Sequence, residues 1–185
     1  MLFLVVGLIL TGQAILTPIL MVIIMLTGDL LGMSLTTDNV EPSKTPNAWR
    51  ISELTIEGVF VGISELVYCT AILIIGKSYL QYGIGELRTL AFVAIVFGNQ
   101  ATNYVNRQRQ QVRFSRPSVW VLGSSIIDIV IASVLATFGI AMSPLSMSMV
   151  GAILTFAVIF AFIMNLIKVP MIRRLQFSQR KNRDS

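Results

Sequence analysis

Three carboxylates stand inside apolar runs long enough to be membrane helices: Asp29 within Pro18–Leu35, Glu65 within 54–75 and Asp128 within 118–140. A charge at the middle of a bilayer costs about 3 kcal/mol on insertion scales, so such residues ordinarily face a partner or an ion pathway. Asp29 has the most suggestive surroundings, with Gly28 directly before it and Gly32 three positions after. Glycine weakens a helix locally. Backbone carbonyls released there would join the carboxylate in holding a cation, and the plainer alternative is a hydrogen bond from Asp29 to a neighbouring helix. Glu65 shares one helix face with Gly58, Gly62 and Cys69, a small-xxx-small stripe that admits a second helix. Glu65 and Asp128 read first as helix contacts and second as members of a polar relay. Asn99 and Asn103, one turn apart, read the same way, as hydrogen-bonding groups between helices. No histidine is present, and Cys69 is the single cysteine. Histidine relays, metal centres and disulfides therefore have no basis, and carboxylates must do any proton chemistry. Cys69 reads as a small packed side chain.

The elements that must position these groups follow from hydropathy. Of 185 residues, 55% are hydrophobic and only 12% charged, where globular domains average about 25% charged. Apolar segments fall at about 1–12, 16–35, 54–75, 89–105, 118–140 and 149–167. The class expected is all-α, a polytopic helical membrane bundle of one partial and four full transmembrane helices. The first arm is short and without a polar lead-in, and reads as a helix whose beginning lies upstream. Thr11-Gly12-Gln13 breaks it from the next span, which Pro18 starts. Pro42 and Pro46 keep the segment after Leu35 from being one helix, and Trp49 is placed to anchor at the interface. Lys77–Arg88 reads as a second loop, Ala141–Ser148 as an uncharged turn, and 179–185 as a basic tail.

The net charge of +5 is better explained by orientation and by anionic lipid than by nucleic acid. Arg107, Arg109, Arg113 and Arg116 crowd one loop, the C-terminal segment holds six further cations, and Lys44 and Arg50 flank another loop. Twelve cations thus lie on one side, against Lys77 and Arg88 on the other. The positive-inside rule puts the twelve, and with them the C-terminus, in the cytoplasm.

Pro18-Ile-Leu-Met-Val-Ile-Ile-Met-Leu-Thr-Gly-Asp29, followed by Asp38-Asn-Val-Glu-Pro-Ser-Lys-Thr-Pro-Asn-Ala-Trp49, resembles the sixth membrane helix and following loop of P-type ATPases. The likeness is nearest to the plasma-membrane proton pumps and their bacterial relatives. Tyr104-Val-Asn-Arg-Gln-Arg, running on to Arg116-Pro117, is similar to that family's link between its eighth and ninth helices, and Leu166-Ile-Lys-Val-Pro-Met-Ile-Arg-Arg174 to the end of its tenth. The resemblance implies that Asp29 matches the family's sixth-helix ion-binding aspartate. The proton pumps usually have Asn-Asp-Gly where this chain has Gly28-Asp29-Leu30, so Thr27 becomes a candidate to supply a replacement oxygen and Gly32 the flexible point. A proton is the first choice of ion, because a carboxyl shielded from water can exchange one when its surroundings change. Mg²⁺ or Ca²⁺ would want more oxygen ligands than this span offers.

The phosphorylation motif Asp-Lys-Thr-Gly-Thr does not occur in the sequence, nor does a Gly-rich phosphate loop. The reading is therefore of the membrane-embedded part of an ATP-driven cation pump, with no catalytic residue of its own. Whether it counts as an enzyme stays open, because Mg-ATP would be bound by a separate or missing catalytic half. The expected partners are the lipid bilayer, the transported cation and that catalytic half, and the expected location is the plasma membrane. Two alternatives stay open: a free-standing regulator or scaffold that binds a pump, and a small carrier using Asp29, Glu65 and Asp128 as a relay.

Overall fold

In the computed structural model, which describes residues 2–36, 51–107 and 119–181, the chain forms six α-helices. They are α1 (Leu2–Thr11), α2 (Pro18–Thr36), α3 (Ile51–Ser78), α4 (Ile84–Arg107), α5 (Val119–Phe138) and α6 (Met147–Lys181). Each apolar segment of the sequence corresponds to one helix, and the count of one partial and four full spans falls one short of these six. Among the described residues three stretches are long and apolar enough to cross a membrane: Gly58–Ser78, Val119–Phe138 and Met147–Ile167. The Trp49 anchor, the arginine loop and the side chains of the basic tail lie outside the described residues.

The helix with the most polar residues among its apolar ones takes the centre. α4 packs against α2, α3, α5 and α6, and Leu90, Ala91, Phe92, Val93 and Ala94 are wholly buried. Burial all round leaves α4 no lipid-facing stripe, so it can carry Asn99, Gln100, Thr102 and Asn103 without exposing them to hydrocarbon. The outer faces of the other helices present residues such as Val22, Ile63, Val130, Phe138, Phe162 and Leu166. In water such a surface would drive association; in a bilayer it meets its own kind.

Three connections set the positions of the helices. Between α1 and α2 the chain reverses at Gly12, whose φ of 72° suits glycine. Ile15 folds back onto Gly7 so closely that a Cβ there would stand 2.6 Å from its Cδ1. Lys77 donates to the Leu10 carbonyl, and Arg88 Nε donates to the Ala14 carbonyl at 3.0 Å. Both cations of the sparsely charged side thus tie the α1–α2 turn to the α3–α4 turn. The Leu10 carbonyl is one that the end of α1 leaves without a helical partner, and the Ala14 carbonyl belongs to the turn itself.

The α3–α4 connection is shorter than the loop expected over Lys77–Arg88. The Glu86 carboxylate accepts the Gly83 N–H at 2.9 Å, the return half of a capping box, so α4 starts at Ile84 and includes Arg88. Between α5 and α6, Gly139 and Ala141 both have positive φ, and the Ser143 carbonyl accepts the Thr89 hydroxyl at 2.7 Å. This anchors the turn on α4.

Two local expectations are corrected. α2 is an unbroken helix through Gly28 and Gly32, so no backbone carbonyl is released beside Asp29. A helix at membrane depth keeps its own hydrogen bonds, and two glycines at about 1 kcal/mol each do not outweigh that. Gly58 and Gly62 are exposed, and a Cβ at either would meet no atom of another element within 4 Å. Only the later half of their stripe, Glu65 and Cys69, packs inward, and Cys69 is a buried free thiol as expected. Close approach between α3 and α4 occurs instead at Gly98 and Gly76. α6 also runs well past 167, through Pro170 to Lys181.

Candidate functional site

The intramembrane carboxyl groups lie in three places: Asp29 on the outer side of α2, Asp128 on its inner side, and Glu65 at the α3–α4 contact. Thr27 and Asp29 are two positions apart, about 200° of helix rotation, and so cannot share a face. Thr27 is buried and turned toward α5. Asp29 is exposed on the outer side of α2, on a stripe with Val22, Met25, Leu26 and Met33. The oxygen that Thr27 was expected to lend to Asp29 is therefore turned to another carboxylate.

That carboxylate is Asp128. The inward stripe of α5 is Val121, Ser125, Asp128, Ala132 and Ala136. The two alanines, 0% exposed, let α5 come close to its neighbours, and this brings Asp128 into the bundle. Gln100 of α4 donates its Nε2 hydrogen to Asp128 Oδ2. The Thr27 hydroxyl, which donates to the Ile24 carbonyl at 3.1 Å, lies against the same carboxyl group. Three helices thus meet at one carboxylate, with α2, α4 and α5 each contributing an oxygen-bearing side chain. Ser124 donates within its own helix, to the Val121 carbonyl at 3.0 Å.

Glu65 is a second, smaller focus on the other side of α4. Its carboxyl group lies against the Thr102 hydroxyl, outside strict hydrogen-bond geometry, and beside Gly98. Tyr68, one turn on, is buried against Phe156 and Phe160 and donates to the Ile153 carbonyl of α6 at 3.4 Å. Glu65 is half-buried at this α3–α4 contact. Asn99 and Asn103 are half-buried on α4 and make no hydrogen bond to the Asp128 cluster among the described residues.

Sequence reasoning singled out Asp128 but not its partner Gln100, nor Ser125 as part of its surroundings. The signal was available: Gln100 is one of a few amide side chains in an otherwise apolar span, and Ser125 lies three positions before Asp128 on one helix face. Among the described residues no group of three histidine, cysteine, aspartate or glutamate side chains could hold a metal ion.

No family model matches the chain. Over 165 residues, 86% of the chain, it is 27% identical to a protein of Methanocaldococcus jannaschii provisionally described as a cation-transporting ATPase. The matched region is 20% of that relative, so the chain spans about a fifth of its length. The likeness and the apolar helices together support a membrane-embedded chain related to cation-transporting ATPases.

Proposed function

We propose that this chain is the membrane-embedded part of a P-type cation pump, that the cation is a proton, and that Asp29 is the carboxylate that holds it in transit. The observation that carries the reading is the position of Asp29. A carboxylate lies on the outer face of α2, flanked by Val22, Met25, Leu26 and Met33. Left against lipid it would cost about 3 kcal/mol, so the face calls for a polar neighbour from outside these six helices. The likeness to a cation-transporting ATPase of which this chain matches about a fifth supplies a reason for such a neighbour. In this reading ATP is bound and hydrolysed by another part of the pump, with Mg²⁺. The plasma membrane is the site, the arginine-rich segments and C-terminus face the cytoplasm, and the residues of this chain serve only the transport step.

A hydrophobic carbodiimide tests the position of Asp29 in the full chain reconstituted in lipid. Asp29 is open to the bilayer side whereas Asp128 is 4% exposed. Peptide mass spectrometry should find Asp29 modified and Asp128 untouched. Modification of Asp128 in preference to Asp29 would contradict the assignment.

A further inference from the structure

We propose that Asp128, Gln100 and Ser125 form a second site that holds one singly charged cation in the interior of the bundle, apart from Asp29. The three side chains are 4%, 5% and 2% exposed. After Gln100 Nε2 has donated to Asp128 Oδ2, three oxygens of the cluster have no hydrogen-bond partner among the described residues: Asp128 Oδ1, Gln100 Oε1 and Ser125 Oγ. A carboxylate oxygen and an amide oxygen can only accept, and the serine oxygen can do so as well. Each buried group left unpaired costs about 1–3 kcal/mol, and a charged one more. A contact whose purpose is to hold helices together would use up its acceptors, as nearly all buried polar groups do. This cluster instead gathers oxygens around a buried carboxyl group and leaves them open.

No cation among the described side chains reaches this carboxyl group either. Lys77 and Arg88, the two cations whose side chains are described, are bonded to the Leu10 and Ala14 carbonyls. One carboxylate balances one positive charge, and the donor set lacks the further carboxylates that a divalent ion would want. The occupant is therefore a proton or an alkali ion; both bring the same single charge to the same oxygens. α5 supplies the carboxylate and the serine, α4 the amide, and α2 places the Thr27 hydroxyl at the rim. The site lies on the inner side of α2 and does not depend on Asp29 being the transported-ion site.

Infrared difference spectroscopy of the full chain in lipid nanodiscs tests this, with wild type minus Asp128→Asn isolating one carboxyl group whatever Asp29 does. The spectrum is taken at constant pH in choline chloride and again in sodium or potassium chloride. A protonated-carboxyl band lost in Asp128→Asn identifies a proton as occupant. A carboxylate band that shifts when choline is exchanged for sodium or potassium identifies an alkali ion. A carboxylate band that is indifferent to the exchange overturns the proposal. Should Asp128→Asn fail to insert, Gln100→Met serves in its place. It removes the amide donor and should displace the same band, and an unchanged band would count against the site. Asp29→Asn should leave the isolated band where it is; its loss there would assign the signal to Asp29 and likewise overturn the second site.

Discussion

Replacing Gln100 by leucine is expected to destabilise the folded chain by about 3 kcal/mol, the scale on which a buried charge loses a hydrogen-bonding partner. Gln100 supplies the hydrogen bond that Asp128 Oδ2 receives, and leucine supplies none. Hydrogen bonds between membrane helices are often worth less, about 0.6 kcal/mol on average, because the unfolded chain in the membrane finds other partners. The expected effect is larger here because one partner is a carboxylate, only 4% exposed, at a three-helix junction. Adding Asp128→Ala should then recover most of the loss, since no buried carboxyl group is left without its partner and no extra atoms are forced into the site. A denaturant titration of the reconstituted chain measures both steps. Equal stability of the single and double variants would show that the Gln100–Asp128 bond is not the coupling between α4 and α5.

Gly98→Leu should cost about 2–3 kcal/mol, at the upper end of the range for inserting atoms into a close-packed core. A Cβ at Gly98 would stand 3.2 Å from Tyr68 Cε1, 3.3 Å from Cδ1 and 3.6 Å from Glu65 Oε1. The Tyr68 ring cannot swing aside. It is 3% exposed, stacks at 4.9 Å on Phe160, and donates its hydroxyl hydrogen to the Ile153 carbonyl. Gly98→Ala asks the ring to yield a few tenths of an ångström and should cost less than half as much. The same titration ranks the two variants, and equal losses would mean that the α3–α4 contact is loose enough to repack.

Helix positions were legible in the hydropathy of the chain, and so was the hairpin at Thr11–Pro18, because apolar length and turn residues are local signals. Helix ends were less so. Glu86, read as part of a loop, caps α4 from inside its first turn, and that shortened the loop to a few residues. Which small residues make close contacts was not legible, because the Gly58–Gly62 spacing names a face without saying whether a helix lies on it. The close α3–α4 contacts fell to Gly98 and Gly76, and the fully buried small residues of α5 are Ala132 and Ala136, all set by the central place of α4. Asp128 was visible as an intramembrane carboxylate; that Gln100 and Thr27 converge on it depends on the packing of three helices distant in sequence. Asp29 could be placed in its helix from sequence, but not on its outer face.

The central claim is that the carboxyl group of Asp29 holds the transported cation, and ATP-driven cation uptake into vesicles tests it most directly. The measurement uses an intact relative carrying changes at the residues matching Asp29, Glu65 and Asp128. Loss of a charge that the transport step requires should reduce uptake by at least about ten-fold for Asp29→Asn, more than for Glu65→Gln or Asp128→Asn. Uptake that survives Asp29→Asn, or falls equally in all three, would contradict the account.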